Sequence, residues 1–353
     1  MFALLLALAC SSSPPTTWTP LPPPLPYSPG GFEELVLVME SLPRPGDPAA
    51  KDMAEQVKDG VVPTDVELSH RDLGVLLALD GIHAPVPALD DDFIPWMGLR
   101  VLGDAAILES RVHLAYGEGL YAWGALAPVL EIAGDLQAAG GGLMPFSIGA
   151  NLERSVLLEL ERVVASPYGL GREGEAALKR YLLARQAGPA LAPYAVSTEC
   201  EAILAILEEP ALHRVEWVFY DLEATLDLQS KQCELELAMM AKPYGERVMV
   251  EQDWPSPLIW NRIGIDLLIV LGTRMGNMGQ VEGELQLQRA MLLTALELRQ
   301  GHRGAWPTFA MPTDPTTAKP LQWDGSTLKG GAGIKELEYS LTPAPPVWSA
   351  VEP

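Results

Sequence analysis

The sequence predicts a mainly α-helical protein, an irregular multi-helix array of about eight to ten helices with a small β-hairpin appendage near the C-terminus. Three observations carry that expectation. From residue 32 onward the apolar positions recur mostly at steps of three and four, prolines and glycines interrupt them at helical intervals, and the helical period stops after Gly301. The chain has 353 residues, 48% hydrophobic and 20% charged, a composition that suits one large folded core or two ordinary ones. Its 24 Lys and Arg stand against 46 Asp and Glu, a net charge of −22. So acidic a surface repels phosphate backbones and anionic headgroups, so nucleic acid is not an expected partner and any membrane attachment must be non-electrostatic.

Residues 2–9 form an unbroken apolar run, and Cys10 and three serines follow it. Eight helical residues span about 12 Å, far short of a ~30 Å hydrocarbon core, so residues 1–9 read as a signal peptide and not as a transmembrane helix. Ala7-Leu8-Ala9-Cys10 resembles the bacterial lipobox, with Ala7 where that motif usually carries Leu. The resemblance implies cleavage before Cys10 and a diacylglycerol on its sulfur, which makes Cys10 the lipidation site and the lipid the link to a membrane. Each buried methylene contributes ~0.8 kcal/mol, so acyl chains hold even an acidic protein without basic residues. Ala7-x-Ala9 also fits an ordinary secretory signal cut at the same bond, which would give a soluble secreted or periplasmic protein.

Residues 10–31 read as the lipidated cysteine plus a proline-rich tether. Pro14, Pro15, Pro20, Pro22, Pro23, Pro24, Pro26 and Pro29 remove too many N–H groups for helix or sheet. In polyproline II geometry, at ~3.1 Å per residue, about 20 residues reach some 60 Å.

Residues 32–300 read as the helical domain. Leu152, Val156, Leu160 and Val163 make one stripe, Val215, Val218, Leu222 and Leu226 another, and Met278, Val281, Leu285, Leu292 and Leu296 a third. Gly140-Gly141-Gly142, Gly188-Pro189, Pro193, Pro210 and Lys242-Pro243-Tyr244-Gly245 are among the stop signals. The apolar segment 259–271 is too short to cross a membrane and contains Arg262 and Asp266, spaced to pair on one face, so it reads as a core helix. Three cysteines are too few for a disulfide framework. If Pro210 marks a helical hairpin, Cys200 and Cys233 stand at distances from it that differ by roughly 20 Å at 1.5 Å per residue. A bridge needs Cα atoms within ~7 Å, so this geometry favours two buried thiols over a disulfide.

Residues 301–342 read as the β-appendage on the last helix, with Asp324-Gly325 as a turn and strands at Pro320-Leu321-Gln322-Trp323 and Leu337-Glu338-Tyr339-Ser340-Leu341. Residues 343–353 read as an irregular tail. Four segments at this end, about 55 residues in all, follow one pattern. They are the helix containing Arg289 to Leu298, Gly301-His302-Arg303-Gly304-Ala305-Trp306-Pro307, Met311-Pro312-Thr313-Asp314-Pro315 through Lys319-Pro320-Leu321-Gln322-Trp323, and Leu337-Glu338-Tyr339-Ser340-Leu341. The pattern resembles that of a group of uncharacterised bacterial envelope proteins, and is similar to the C-terminal part of type II secretion major pseudopilins. The resemblance implies that the aromatic and proline residues fasten a helix end to a small sheet and that the Asp314-Pro315 turn starts the hairpin. The chain lacks the N-terminal assembly helix of a pilin, so polymerisation does not carry over.

Motifs with catalytic precedent mostly dissolve on inspection. Ser69-His70-Arg71-Asp72 superficially matches a kinase catalytic loop, but position 77 is Leu where a metal-binding Asn is needed, so Ser69 reads as a helix cap. Gly169-Leu170-Gly171-Arg172-Glu173-Gly174 spells a dinucleotide fingerprint without the preceding strand, so it reads as a loop before a helix. Asp90-Asp91-Asp92 lacks the spacing of a calcium loop, and His70, His83, His113, His213 and His302 are scattered. No metal or cofactor site is therefore expected, and no catalytic residue is identified. Trp96, Tyr116, Tyr121, Trp123, Trp217, Tyr220, Trp254 and Trp260 are expected as ordinary packing residues, with a glycan or peptide groove as the rival reading.

The expectation is thus a non-enzymatic protein of the bacterial cell envelope, anchored by lipid at Cys10 and acting as a binding or scaffold module for another envelope protein or glycan. The alternatives are an envelope hydrolase on glycan or peptide, and an accessory of a secretion or pilus-like system.

Overall fold

The computed structural model describes Leu21, residues 31–44, 46–63, Trp96, residues 98–165, 169–208 and 221–247, Asn261, Gly264, Leu268, and residues 276–301, 311–331 and 337–340. Among the described residues are nine α-helices and a three-stranded antiparallel sheet, the mainly helical architecture with a small C-terminal β-element expected from the sequence. The helices are α1 (Gly31–Ser41), α2 (Pro48–Asp59), α3 (Gly98–Ala115), α4 (Gly119–Ala138), α5 (Leu143–Ala165), α6 (Gly171–Ala187), α7 (Ala192–Glu208), α8 (Leu222–Met240) and α9 (Gly276–Gly301). None of them alone is long and apolar enough to cross a membrane.

Helix α5 is the hub, because it packs on α3, α4, α7 and α9 and touches the sheet. Its Leu152, Val156, Leu160 and Val163 are all buried, the expected stripe. The turn that feeds α5 from α4 needs glycine: Gly140, Gly141 and Gly142 have φ of 76°, 69° and 85°, a left-handed run that side chains resist. Six residues on, the two helices nearly touch. A Cβ on Gly149 would lie 2.5 Å from the Ala133 carbonyl oxygen, so only glycine permits this approach.

Several helix ends are closed by side chains from other helices. At the start of α5, the N–H of Gly142 donates to Thr198 Oγ1 at 3.1 Å and that of Leu143 to Glu199 Oε2 at 2.9 Å, both acceptors on α7. At the start of α7, the N–H groups of Leu191 and Ala192 donate to Glu282 Oε1 on α9 at 2.6 and 3.2 Å. Buried Arg111 on α3 donates to the carbonyls of Gln56, Val57 and Val61 at the end of α2 at 3.2, 3.1 and 3.2 Å, while Glu159 on α5 holds it at 2.9 and 2.7 Å. Helix ends leave unpaired donors and acceptors, and each closure here also fixes where a neighbouring helix must lie. The exception is α8, where Asp221 caps locally by accepting from the Ala224 N–H at 3.0 Å.

That local cap corrects one expectation. The stripe through Val215, Val218, Leu222 and Leu226 is not one helix, because Asp221 is extended (φ −116°, ψ 101°) and α8 starts after it. It also explains the cysteines. Cys200 and Cys233 form a disulfide with Cα atoms 6.1 Å apart, contrary to the expectation of two thiols. Cys200 stands eight residues before the end of α7 and Cys233 eleven after the start of α8, so the axial offset is only about 4.5 Å. The expected hairpin point, Pro210, lies two residues past the end of α7 but twelve before the start of α8, so counting from it overstated the offset.

The C-terminal sheet has one strand more than expected. Strands β1 (Gln322–Trp323), β2 (Thr327–Gly330) and β3 (Leu337–Ser340) form a meander in the order β1-β2-β3. The Asp324-Gly325 turn joins β1 to β2, with Gly325 at φ 101° and Asp324 Oδ1 accepting from the N–H groups of Ser326 and Thr327 at 2.9 and 2.7 Å. Leu328 faces Tyr339 in the β2–β3 register, both are buried, and a Cβ on Gly330 would meet Leu287 and Met291 of α9. Asp314 ties the preceding loop to this sheet: Oδ1 accepts from Thr316 N–H and Oγ1 at 2.7 and 2.6 Å, and Oδ2 from Gly331 N–H at 2.7 Å. Burial would raise its pKa, but these hydrogen bonds outweigh burial and hold it below the usual value.

Leu21, in the segment expected as a tether, donates its N–H to Ser197 Oγ on α7 at 2.8 Å; Cys10 and the rest of that segment up to residue 30 lie outside the described residues.

The disulfide spans 33 residues, and its replacement by serine at both positions should lower stability by about 3–4 kcal/mol. Urea unfolding measures this; a midpoint equal to wild type would show that the α7–α8 packing needs no bridge.

Candidate functional site

The most deeply buried charge is structural. Glu153 on α5 is 0% exposed and receives donors from three other helices. Arg289 of α9 clasps both oxygens at 2.6 and 2.5 Å, Gln137 of α4 donates at 2.7 Å, and Tyr181 and Arg185 of α6 approach to 3.0 and 3.5 Å. Arg185 also donates to the Gln137 amide oxygen Oε1 at 2.9 Å, which orients that amide toward Glu153. Burial alone would push Glu153 up, but the Arg289 charge and hydrogen bonds, then Arg185 and Gln137, bring it down to about 2. Both Glu153 oxygens are taken, and of the set only Arg185 Nε is buried without a hydrogen-bond partner.

Glu282 is committed as well. Besides capping α7 it accepts from Tyr244 Oη at 3.1 Å and lies 3.8 Å from Arg247, whose guanidinium stacks 3.8 Å over the Tyr244 ring.

Charges of both signs line one cleft among the described residues. A cleft of about 560 Å³ opens between α2, α3 and α5. Glu55 and Lys58 of α2 form one wall, Arg100 and Asp104 of α3 the other, Asn151 and Ser155 of α5 the rim, and Ile148, Leu152 and Gly103 the apolar floor. Asp104 is 9% exposed. Among the described residues its carboxylate makes no hydrogen bond and no ion pair within 4 Å. Burial raises its pKa more than the Arg100 charge, one turn earlier on the same helix, lowers it. A desolvated, unpartnered carboxylate in a cleft marks a binding or catalytic candidate.

The residues singled out from the sequence do not assemble into a site. Cys10 lies outside the described residues, as do Ser69, His70, Asp72, His83, Asp90-Asp91-Asp92, His213, His302, the Arg262–Asp266 pair, and Trp217, Tyr220, Trp254 and Trp260. His113 sits at the end of α3, 2.8 Å from Glu118 and stacked on Tyr121. The described aromatics separate: Trp96 is buried against Phe32, Trp123 packs on the core, and Tyr116 and Tyr121 are 75% and 65% exposed at the α3–α4 connection. The Gly169–Gly174 motif is a turn followed by α6, as its missing strand implied. Among the described residues no three His, Cys, Asp or Glu converge as metal ligands.

Asp104 and Arg100 went unnoticed, although a signal existed. They are the two charges that interrupt the first half of an otherwise apolar helix, GLRVLGDAAIL, at a spacing that places both on one face. No family model, no curated protein and no solved structure matches this chain.

The buried carboxylates set a pH profile. Glu153, held down to about 2 in the fold against an ordinary 4.5, contributes stability above pH 4.5 that is lost as pH falls through 2. Glu161 and Asp135 act oppositely: burial raises them to about 7 and about 6, so their contribution is full below their ordinary values and lost as pH rises through 6 to 7. Urea midpoints should therefore peak near pH 4, and Glu161→Gln should flatten the decline between pH 5 and 7.5. A midpoint that rises across that interval contradicts the assignment.

Proposed function

We propose that this protein is an exported, lipid-anchored binding module of the bacterial cell envelope, joined to a membrane through Cys10, with the α2–α3–α5 cleft as its recognition site. One observation carries the binding role: the buried carboxylates Glu153, Glu159 and Glu282 are consumed in tying helices together, whereas Asp104, without a described hydrogen-bond or ion-pair partner, lines an open cleft beside Arg100; Glu236, also buried and with one oxygen unpartnered, is not among the residues lining that cleft. The Cys200–Cys233 disulfide supports the export reading, because such bonds persist chiefly in oxidising compartments. The lipobox-like Ala7-Leu8-Ala9-Cys10 supports the anchor.

A second reading, an envelope hydrolase acting on glycan or peptide, is favoured by the presence of two carboxylates, Glu55 and Asp104, in the same cleft. The raised pKa of Asp104 suits a general acid. The two readings part on turnover, since a binding module leaves its ligand intact.

Wild-type protein should fractionate with membranes and Cys10→Ser should be soluble; wild type found soluble removes the anchor. For the site, the small-molecule pool of envelope extract should slow hydrogen exchange in α2 and α3 without being consumed. No change in those helices removes the cleft as a recognition site, and consumption of a component by wild type but not by Asp104→Asn favours the hydrolase.

A further inference from the structure

We infer that the cleft between α2, α3 and α5 binds a short free peptide as a zwitterion, with the ammonium on Asp104, the carboxylate on Arg100 and Lys58, and an apolar side chain over Ile148 and Leu152. This rests on the proposal that the cleft is a recognition site, and names what it recognises.

The charge pattern decides the class. Each wall of the cleft carries one cation and one anion, Lys58 with Glu55 on α2 and Arg100 with Asp104 on α3. A ligand of one sign gains from one half of this set and loses to the other half. A short ligand that carries both signs, one at each end, gains from both. Asp104 fixes the orientation. It is nine-tenths buried and unpartnered among the described residues, so a donor arriving from the cleft relieves a desolvated carboxylate, and an ammonium does so better than a neutral hydroxyl. Arg100 and Lys58 are exposed at the mouth and free to close on a carboxylate; the planar fork of Arg100 suits a bidentate pair.

The remaining lining agrees with a peptide more than with a sugar. The floor of Ile148, Leu152 and Gly103 is aliphatic, and among the described residues no aromatic ring lines the cleft to stack on a pyranose face. The exposed rings, Tyr116 and Tyr121, stand at the α3–α4 connection and are not among the lining residues. Asn151 and Ser155 at the rim offer donors and acceptors for backbone amides. The volume, about 560 Å³, falls in the usual range of roughly 300–1,000 Å³ for small-molecule clefts and leaves room for two or three residues.

Removal of an unpaired buried charge should leave Asp104→Asn folded, with a melting temperature equal to or above that of wild type. That keeps the binding test clean. Calorimetric titration of the full chain with tri-leucine, N-acetyl-tri-leucine, tri-leucine amide and chitotriose distinguishes the classes. Wild type should bind tri-leucine at least ten-fold more tightly than its acetylated form, and Asp104→Asn should bind the two equally and weakly. Arg100→Gln should likewise abolish the discrimination between tri-leucine and its amide, whereas Lys231→Gln on distant α8 should change nothing. Discrimination that persists in Asp104→Asn overturns the inference, as does binding of chitotriose in place of the peptide. Protection of α2 and α3 by the envelope pool without any response to tri-leucine overturns the ligand class and leaves the recognition site standing; silence in both experiments removes both.

Discussion

A carboxylate with no exposed surface must be paired or it unfolds its surroundings, and Glu153 is that carboxylate. Its partners come from α4, α6 and α9, so the demand of one buried charge dictates how four helices meet. The contact is possible because Gly149 lets α4 lie close enough for Gln137 to reach it. An all-apolar interface would allow these helices to slide and rotate; directional hydrogen bonds admit one register. Arg111, bound to Glu159 of α5 and to the carbonyls at the end of α2, ties α3 to both, and the cleft opens between these three helices.

The same economy governs the helix ends. Glu282, Glu199, Thr198 and Arg111 each satisfy backbone groups of a helix other than their own. An array without a repeat has no identical neighbours to stack on, and such closures give each junction its own specification. The consequence for function is subtraction. Among the charges not bound to this task are Asp104 and Arg100, with Lys58 and Glu55 opposite them, in a hollow with an aliphatic floor. That residue of unspent electrostatics supports recognition of a ligand bearing both signs.

What the sequence made legible was short-range. The stripe at Leu152, Val156, Leu160 and Val163 becomes the buried face of α5, and Asp324-Gly325 becomes a turn between strands, because periodicity and turn chemistry are written in adjacent residues. What it hid was long-range. Glu153 and Arg289 are separated by 136 residues, and nothing in either neighbourhood announces the other. The Cys200–Cys233 bridge was misjudged because both helices were measured from Pro210, twelve residues before α8 starts; of the stripe through Val215, Val218, Leu222 and Leu226 the first two lie outside the described residues, and Asp221, whose capping geometry starts α8, stands between them and the rest. The third strand, Thr327–Gly330, escaped because its Gly330 and Lys329 dilute the apolar alternation, while Leu328 alone is fully buried. Asp104 and Arg100 were visible as charges in an apolar helix, but only the fold shows that they face a hollow and not solvent.

The claim on which the rest depends is that the Glu153–Arg289 pair is a register lock, costly to break from one side and less so from both. A double-mutant cycle by urea unfolding measures it. Glu153→Gln and Arg289→Met should each lose about 3–5 kcal/mol, because each strands a buried partner. The double variant should lose less than the sum by about 2–3 kcal/mol. Additive losses, or single variants within ~0.5 kcal/mol of wild type, would contradict the account.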